Sequence, residues 1–178
     1  MSYNSEPDTR KHIDRVQSLI FEFVKMLKFR AWDHDNSKLK SPEKEIFDEY
    51  TPKLKGSTYG SDEYKEFLKG MGAALEHHYK KNRHHPEHFK YIECNGCFTR
   101  YDKDYNGFCK ICGYGQFTDR FDIAEMTLLD LIEMLCDWKA ATERHADGDI
   151  NKSLEINQKR FGIDNQLQHI LENTAKLF

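Results

Sequence analysis

AEMTLLDLIEMLCDWKA, residues 124–140, is the most hydrophobic stretch of the chain, and its reading decides the class of the fold. It reads as the strongest helix of the sequence, running from about Asp122 to His145. Asp137 falls inside it, in line with Asp130 at i, i+7 and with Glu133 at i, i+4. A carboxylate in such surroundings is costly to bury unless it is paired or coordinates a metal. Cys136 lies on the apolar face and reads as a core residue.

Outward from this helix the chain is helical on both sides. Upstream, a first helix spans about 9–32, with His12, Val16, Leu19, Ile20, Phe23 and Leu27 on one inward face. A second opens at Ser41-Pro42, with Ser41 as N-cap and Pro42 at the first helical position. The polar stretch 52–62 reads as a loop. A third helix runs from about Ser61 to Lys81 and breaks at Pro86. Downstream, residues after 148 give two more helices punctuated by Gly162. The expected fold is all-α.

Between the third and fourth helices the composition changes. YIECNGCFTRYDKDYNGFCKICGYGQF, residues 91–117, holds two CxxC pairs, Cys94/Cys97 and Cys109/Cys112, separated by residues 98–108. Each pair sets two thiolates on one side of a tight knuckle, and two knuckles complete a tetrahedron around zinc. Gly96, Gly107 and Gly113 supply backbone freedom for the turns. A redox CxxC occurs singly beside a βαβ pattern, which is absent here. The expectation is a closed, structural four-cysteine zinc ribbon at 91–118, inserted into one helical domain made of 1–90 and 119–178. Tyr101, Tyr105, Phe108 and Tyr114 would cover the ribbon or form a contact surface.

The chain has 178 residues, 38% hydrophobic and 32% charged, with a net charge of −3 and a pI of about 6.3. This balance argues against an extended nucleic-acid surface. The polar N-terminus lacks the apolar stretch of a signal peptide, and no run is long enough to cross a membrane. A cytoplasmic protein is expected, whose cysteines serve as ligands or core rather than disulfides.

A second set of metal-ligating residues is scattered along the helices: His12, then His34 and Asp35 within HDNSK, then His77-His78, His84-His85 and Asp137. Several imidazoles with one or two carboxylates make an N/O ligand set that suits Mn, Fe, Co, Ni or Zn. Helical periodicity favours His78 over His77, which falls on the wetter side with Lys80 and Lys81. The order H … HDxxK … HH … D resembles the HD-domain superfamily of metal-dependent phosphohydrolases. More closely, HDNSK with HHY, NRHHPE and EMLCDWKA resembles a family of uncharacterised bacterial and phage proteins.

The resemblance implies an HD-like helical bundle in which His12, His34, Asp35 and Asp137 hold a first metal. Asp35 would bridge to a second metal held by His78 and by His84 or His85. It also implies a hydrolase acting on a nucleotide or another small phosphoester, with Asp35 and Lys38 as catalytic residues. Lys38 would neutralise charge on the phosphoryl group; alternatively it is an exposed lysine. Glu43 is either an acid/base group or a first-turn helix charge. Lys80, Lys81, Arg83, Arg144, Lys152, Lys159 and Arg160 are candidate phosphate contacts, and Tyr79, Phe89 and Trp138 candidate stacking partners. Two other readings are open: an HD-fold di-iron oxygenase on similar ligands, and a non-catalytic protein whose ribbon docks a partner.

Overall fold

Side chains at the helix starts fix most of the boundaries in the computed structural model, which describes residues 3–58, 61–144 and 148–178. The elements are α1 (Glu6–Asp33), α2 (Glu43–Gly56), α3 (Asp62–Lys81), β1 (Lys90–Cys94), β2 (Arg100–Asp102), β3 (Phe117–Phe121), α4 (Leu128–Thr142), α5 (Ile150–Phe161) and α6 (Asn165–Ala175). Short 3₁₀ turns occupy Asn36–Leu39, Pro86–Phe89 and Ile123–Glu125. Ser61 accepts from the Tyr64 N–H to start α3. Thr127 and Asp130 form a reciprocal capping box at the start of α4, satisfying N–H groups that have no partner inside the helix. Asp149 and Asp164 cap α5 and α6. Gly162 ends α5 at φ 68, a left-handed conformation that glycine adopts at no steric cost.

The expectation of an all-α fold is corrected. The chain is mostly helical but carries a three-stranded antiparallel sheet of order β2-β1-β3. β1 pairs with β3 from Lys90↔Phe121 to Cys94↔Phe117, and with β2 from Tyr91↔Asp102 to Glu93↔Arg100. The strands are three to five residues long and extend the two knuckles into a paired ribbon. Ile92 and Cys94 alternate inward along β1.

Four local expectations also change. α2 begins one residue after Pro42, which is itself the N-cap and follows a cis Ser41-Pro42 bond. α2 then runs through Pro52 to Gly56, so the expected loop at 52–62 begins later; proline keeps a helical φ but forfeits one backbone hydrogen bond and crowds the carbonyl four residues before it. α4 starts at Leu128, after the 3₁₀ turn, and the expected end at His145 lies outside the described residues. Cys136, expected in the core, is exposed on α4.

The chain divides into two units, Met1–His34 and Asp35–Phe178. The first is α1, a helix whose apolar stripe has no core of its own to cover it. The second has a core of Met134, Leu135, Leu154, Phe161, Ile163 and Leu171, joined by Phe89 from the Pro86 turn. Trp138 stacks on Phe161 with ring centroids 6.2 Å apart, and Phe121 meets Phe161 edge-on. The core therefore ties α4, α5 and α6 to β3 and to the turn after His85. Truncating the fully buried Leu154 to Ala there would cost about 2–5 kcal/mol. Among the described residues, no helix is long and apolar enough to cross a membrane.

Candidate metal centres

Two knuckles at the ends of the ribbon strands bring the four cysteines together. Phe98 N–H donates to the Cys94 carbonyl at 2.9 Å, and Gly113 N–H to the Cys109 carbonyl at 2.8 Å. The residue after each pair is left-handed: Phe98 at φ 60 and Gly113 at φ 74. The four Sγ atoms lie within 4.8 Å of one another, with Cys94–Cys112 at 3.6 Å and Cys97–Cys109 at 3.4 Å. A tetrahedron with ~2.3 Å metal–sulfur bonds has edges of ~3.8 Å, so the set fits a single ion.

The thiols also compete for protons. Burial raises Cys109, but the Tyr101 hydroxyl and the backbone N–H groups of Cys112 and Ile111 outweigh it and bring it to about 5. The Tyr114 N–H lowers Cys112, but burial and the three neighbouring sulfurs push it up to about 12. Four sulfurs this close do not all ionise without a cation among them. Tyr101 stacks on Tyr105 at 4.5 Å and accepts from the Lys110 N–H, so these two rings cover the ribbon. Phe108 and Tyr114 are exposed.

The second cluster gathers around Asp35, the first residue of the second unit, which takes a left-handed φ of 57. Asp tolerates this conformation better than most side chains. Asp35 Oδ1 lies 3.3 Å from His78 Nε2, 3.6 Å from His84 Nε2 and 4.0 Å from His85 Nε2. His78 and His85 approach through their Nε2 atoms at 2.8 Å. His84, His85 and Asp137 form a further group within 4.8 Å. Ligands on one ion with ~2.1 Å bonds are separated by ~3 Å or more, the range these atoms occupy. Asp35 comes from the turn before α2, His78 from the last turn of α3, His84 and His85 from the loop after it, and Asp137 from α4.

Behind the imidazoles stand buried carboxylates. Glu43, 0% exposed, accepts from His78 Nδ1 at 2.9 Å and from His77 Nδ1 at 2.6 Å. Ser37 Oγ donates to Glu43 and accepts from Asn82 Nδ2. Glu133 Oε1 lies 3.0 Å from His84 Nδ1. A carboxylate on Nδ1 fixes the tautomer that presents Nε2 as a ligand and raises its basicity. Burial raises the Asp35 carboxyl, yet the adjacent His78 imidazole and the Lys38 ammonium, 2.6 Å from Oδ2, hold it well below the usual carboxylate range. Burial, together with His84 and His78, pulls His85 down to about 2, so its ring is neutral. An ionised carboxylate and a neutral imidazole are the forms that coordinate metals.

The cluster thus unites Asp35, His78, His84, His85 and Asp137, with Lys38 on Asp35. His77 is turned to Glu43 instead. His12, within α1, and His34, the residue after it, belong to the first unit. Glu43 is shut off from solvent behind two imidazoles, which closes direct proton exchange with a substrate. Arg83 pairs with Asp130 at 3.4 Å and lies over the Phe89 ring, and Arg160 pairs with Glu87 at 2.6 Å.

Over residues 1–177 the chain matches DUF5662, a family of unknown function. The chain belongs to this family. No curated protein and no solved structure matches it. The DUF5662 match takes in both clusters of ligands. The outer carboxylates carried weak sequence signals. Glu43 looks like any first-turn helix charge, and Glu133 shared with Asp137 only its place in a hydrophobic helix. That shared place was the clue: an acidic residue one turn from a candidate ligand is positioned to back an imidazole.

Proposed function

We propose that this protein is a metal-dependent phosphohydrolase of HD type, acting on a nucleotide or another small phosphoester, with a separate structural zinc in the ribbon. One observation carries the reading: three imidazoles converge on the Asp35 carboxylate, and two of them are backed by the carboxylates of Glu43 and Glu133. Buried carboxylate–histidine pairs are costly to assemble for packing alone and are the usual outer shell of a metal site. The all-thiolate ribbon suits zinc and leaves no open position. The N/O cluster suits Mn, Fe, Co, Ni or Zn.

Asp35, His78, His84 and His85 would hold the metal, with Asp137 on the far side of the His84–His85 pair. When bound there, a divalent ion would supply Lewis acidity toward a phosphoryl oxygen and a more acidic water near neutral pH. Lys38 places its ammonium against Asp35 Oδ2, where it offsets charge on the transferring group as that charge develops. Glu43 and Glu133 hold the imidazoles in place and take no proton from the substrate.

The test is hydrolysis of p-nitrophenyl phosphate and nucleoside monophosphates by protein supplied with Mn²⁺, Co²⁺, Ni²⁺, Fe²⁺ or Zn²⁺. The wild type is expected to turn over at least one of them, and Asp35→Ala to fall to background while keeping its ribbon metal. Turnover that survives in Asp35→Ala contradicts the reading, as does its absence with every metal.

A further inference from the structure

The segment 82–89, NRHHPEHF, delivers His84 and His85, and it is tied down along its length. Asn82 donates to Ser37 at 2.8 Å. Arg83 reaches Asp130, and His84 reaches Glu133 one turn further along α4. His88 Nδ1–H donates to the Tyr79 carbonyl at 2.9 Å. These four ties come from elements that carry cluster residues themselves or lie directly beside them.

The fifth tie does not. Arg160, on α5, donates to Glu87 Oε1 at 2.6 Å across 73 residues of sequence. The Tyr79 ring meets His85 edge-on with centroids 5.1 Å apart. Arg160 therefore grips Glu87, two positions beyond His85 in the chain, while Tyr79 packs against the His85 ring. The Glu87 side chain is 13% exposed and Arg160 44%, so the carboxylate end of the pair is withdrawn from water while the guanidinium reaches solvent; the contact is a charge-assisted hydrogen bond. Its charge is already matched by Glu87, which fits a clamp better than a phosphate contact.

We propose that Arg160 is a positioning residue for the His84–His85 pair, and that through Glu87 it makes the metal affinity of the cluster depend on α5. The inference rests on the reading of the cluster as a metal site. His85 needs such help most. Unlike His78 and His84, it has no carboxylate hydrogen-bonded to Nδ1 among the described residues, so its ring is oriented by Tyr79, by His84 and His78, and by the backbone of the clamped turn.

The test uses the full chain with its ribbon loaded with zinc, titrated with Co²⁺ and followed by calorimetry and by visible absorption of the N/O site. Arg160→Met keeps the packing stem and removes the fork; Glu87→Gln keeps the volume and removes the charge. Each is expected to weaken Co²⁺ binding about 10-fold and to change the visible bands. The double variant is expected to be no weaker than either single one, because both act through one contact. Arg160→Lys is expected to recover part of the affinity. Wild-type affinity and spectrum in Arg160→Met, in a protein whose wild type binds Co²⁺ at the cluster, would overturn the clamp alone. A wild type that binds no Co²⁺ beyond the ribbon would overturn the metal reading, and the clamp with it.

Discussion

The ribbon draws its four sulfurs from residues 94–112, while the His/Asp cluster draws its ligands from Asp35 through Asp137, on four separate pieces of the fold. The ribbon's cysteines are held by little more than their own knuckles and three short strands, so a metal bound there and the local fold would form together. The cluster's ligands are held by the surrounding protein. His78 has Glu43, His84 has Glu133, and the loop that carries His84 and His85 is tied to α3, α4 and α5. A locally built site is all-or-none in its metal; a site preorganised from many directions loses affinity in steps.

The largest effect follows from that contrast. Cys109→Ser removes one of four thiolates, and complete loss of the ribbon metal is expected. Hydrogen exchange should then speed up across 91–118 while α4–α6 keep their protection. Next is His78→Ala, which deletes a ligand and one of the three side-chain partners of the fully buried Glu43. The cluster metal should be lost. The metal-free protein should also lose about 3 kcal/mol in denaturant unfolding, the scale for breaking a buried charged pair. A smaller, graded change is expected for Glu133→Gln: metal binding weaker by about 10–100-fold, with the fold intact.

How far this contrast was legible in the sequence depends on how local each signal is. CxxC twice over is a short-range pattern, so Cys94, Cys97, Cys109 and Cys112 could be paired before any fold was known. The strands around them could not. KYIEC and FTDRF are short and mixed in polarity, and they become strands because the knuckles bring them into register. In the second cluster, HDNSK and NRHHPE flagged Asp35, His84 and His85. The choice of His78 over His77 came from helical periodicity and concerns a single turn. Cys136 shows the limit of that method: an apolar helix face predicts burial, yet Cys136 lies on a part of it that nothing in the second unit covers. Glu43 and Arg160 were illegible as partners because their contacts, to His78 and Glu87, span 35 and 73 residues.

The last expected effect is spread over several pH units. His85 in the folded, metal-free protein stays neutral down to about 2, whereas an unfolded histidine takes its proton near 6.5. Between those values the unfolded state binds more protons. Stability contributed by the neutral ring is therefore full above about 6.5 and falls as the pH drops toward 2, by at most about 1.4 kcal/mol per pH unit. Below about 3.8 Asp35 adds a loss of the same sign, because its folded carboxyl resists protonation. Chemical unfolding of the metal-free protein between pH 7 and 4.5 should show the decline, and His85→Gln should flatten it. An equal slope in both would remove His85 from the explanation.

Elemental analysis of the wild type, Asp35→Ala and Cys109→Ser, each purified and then dialysed against a modest excess of Zn²⁺ and Mn²⁺, tests the independence of the two centres most directly. The expected result is a crossed pattern. The wild type holds the ribbon zinc plus one or two further ions, Asp35→Ala keeps only the zinc, and Cys109→Ser keeps only the others. A wild type holding one zinc that Asp35→Ala leaves unchanged would contradict a second centre, and loss of all metal in either variant would contradict their independence.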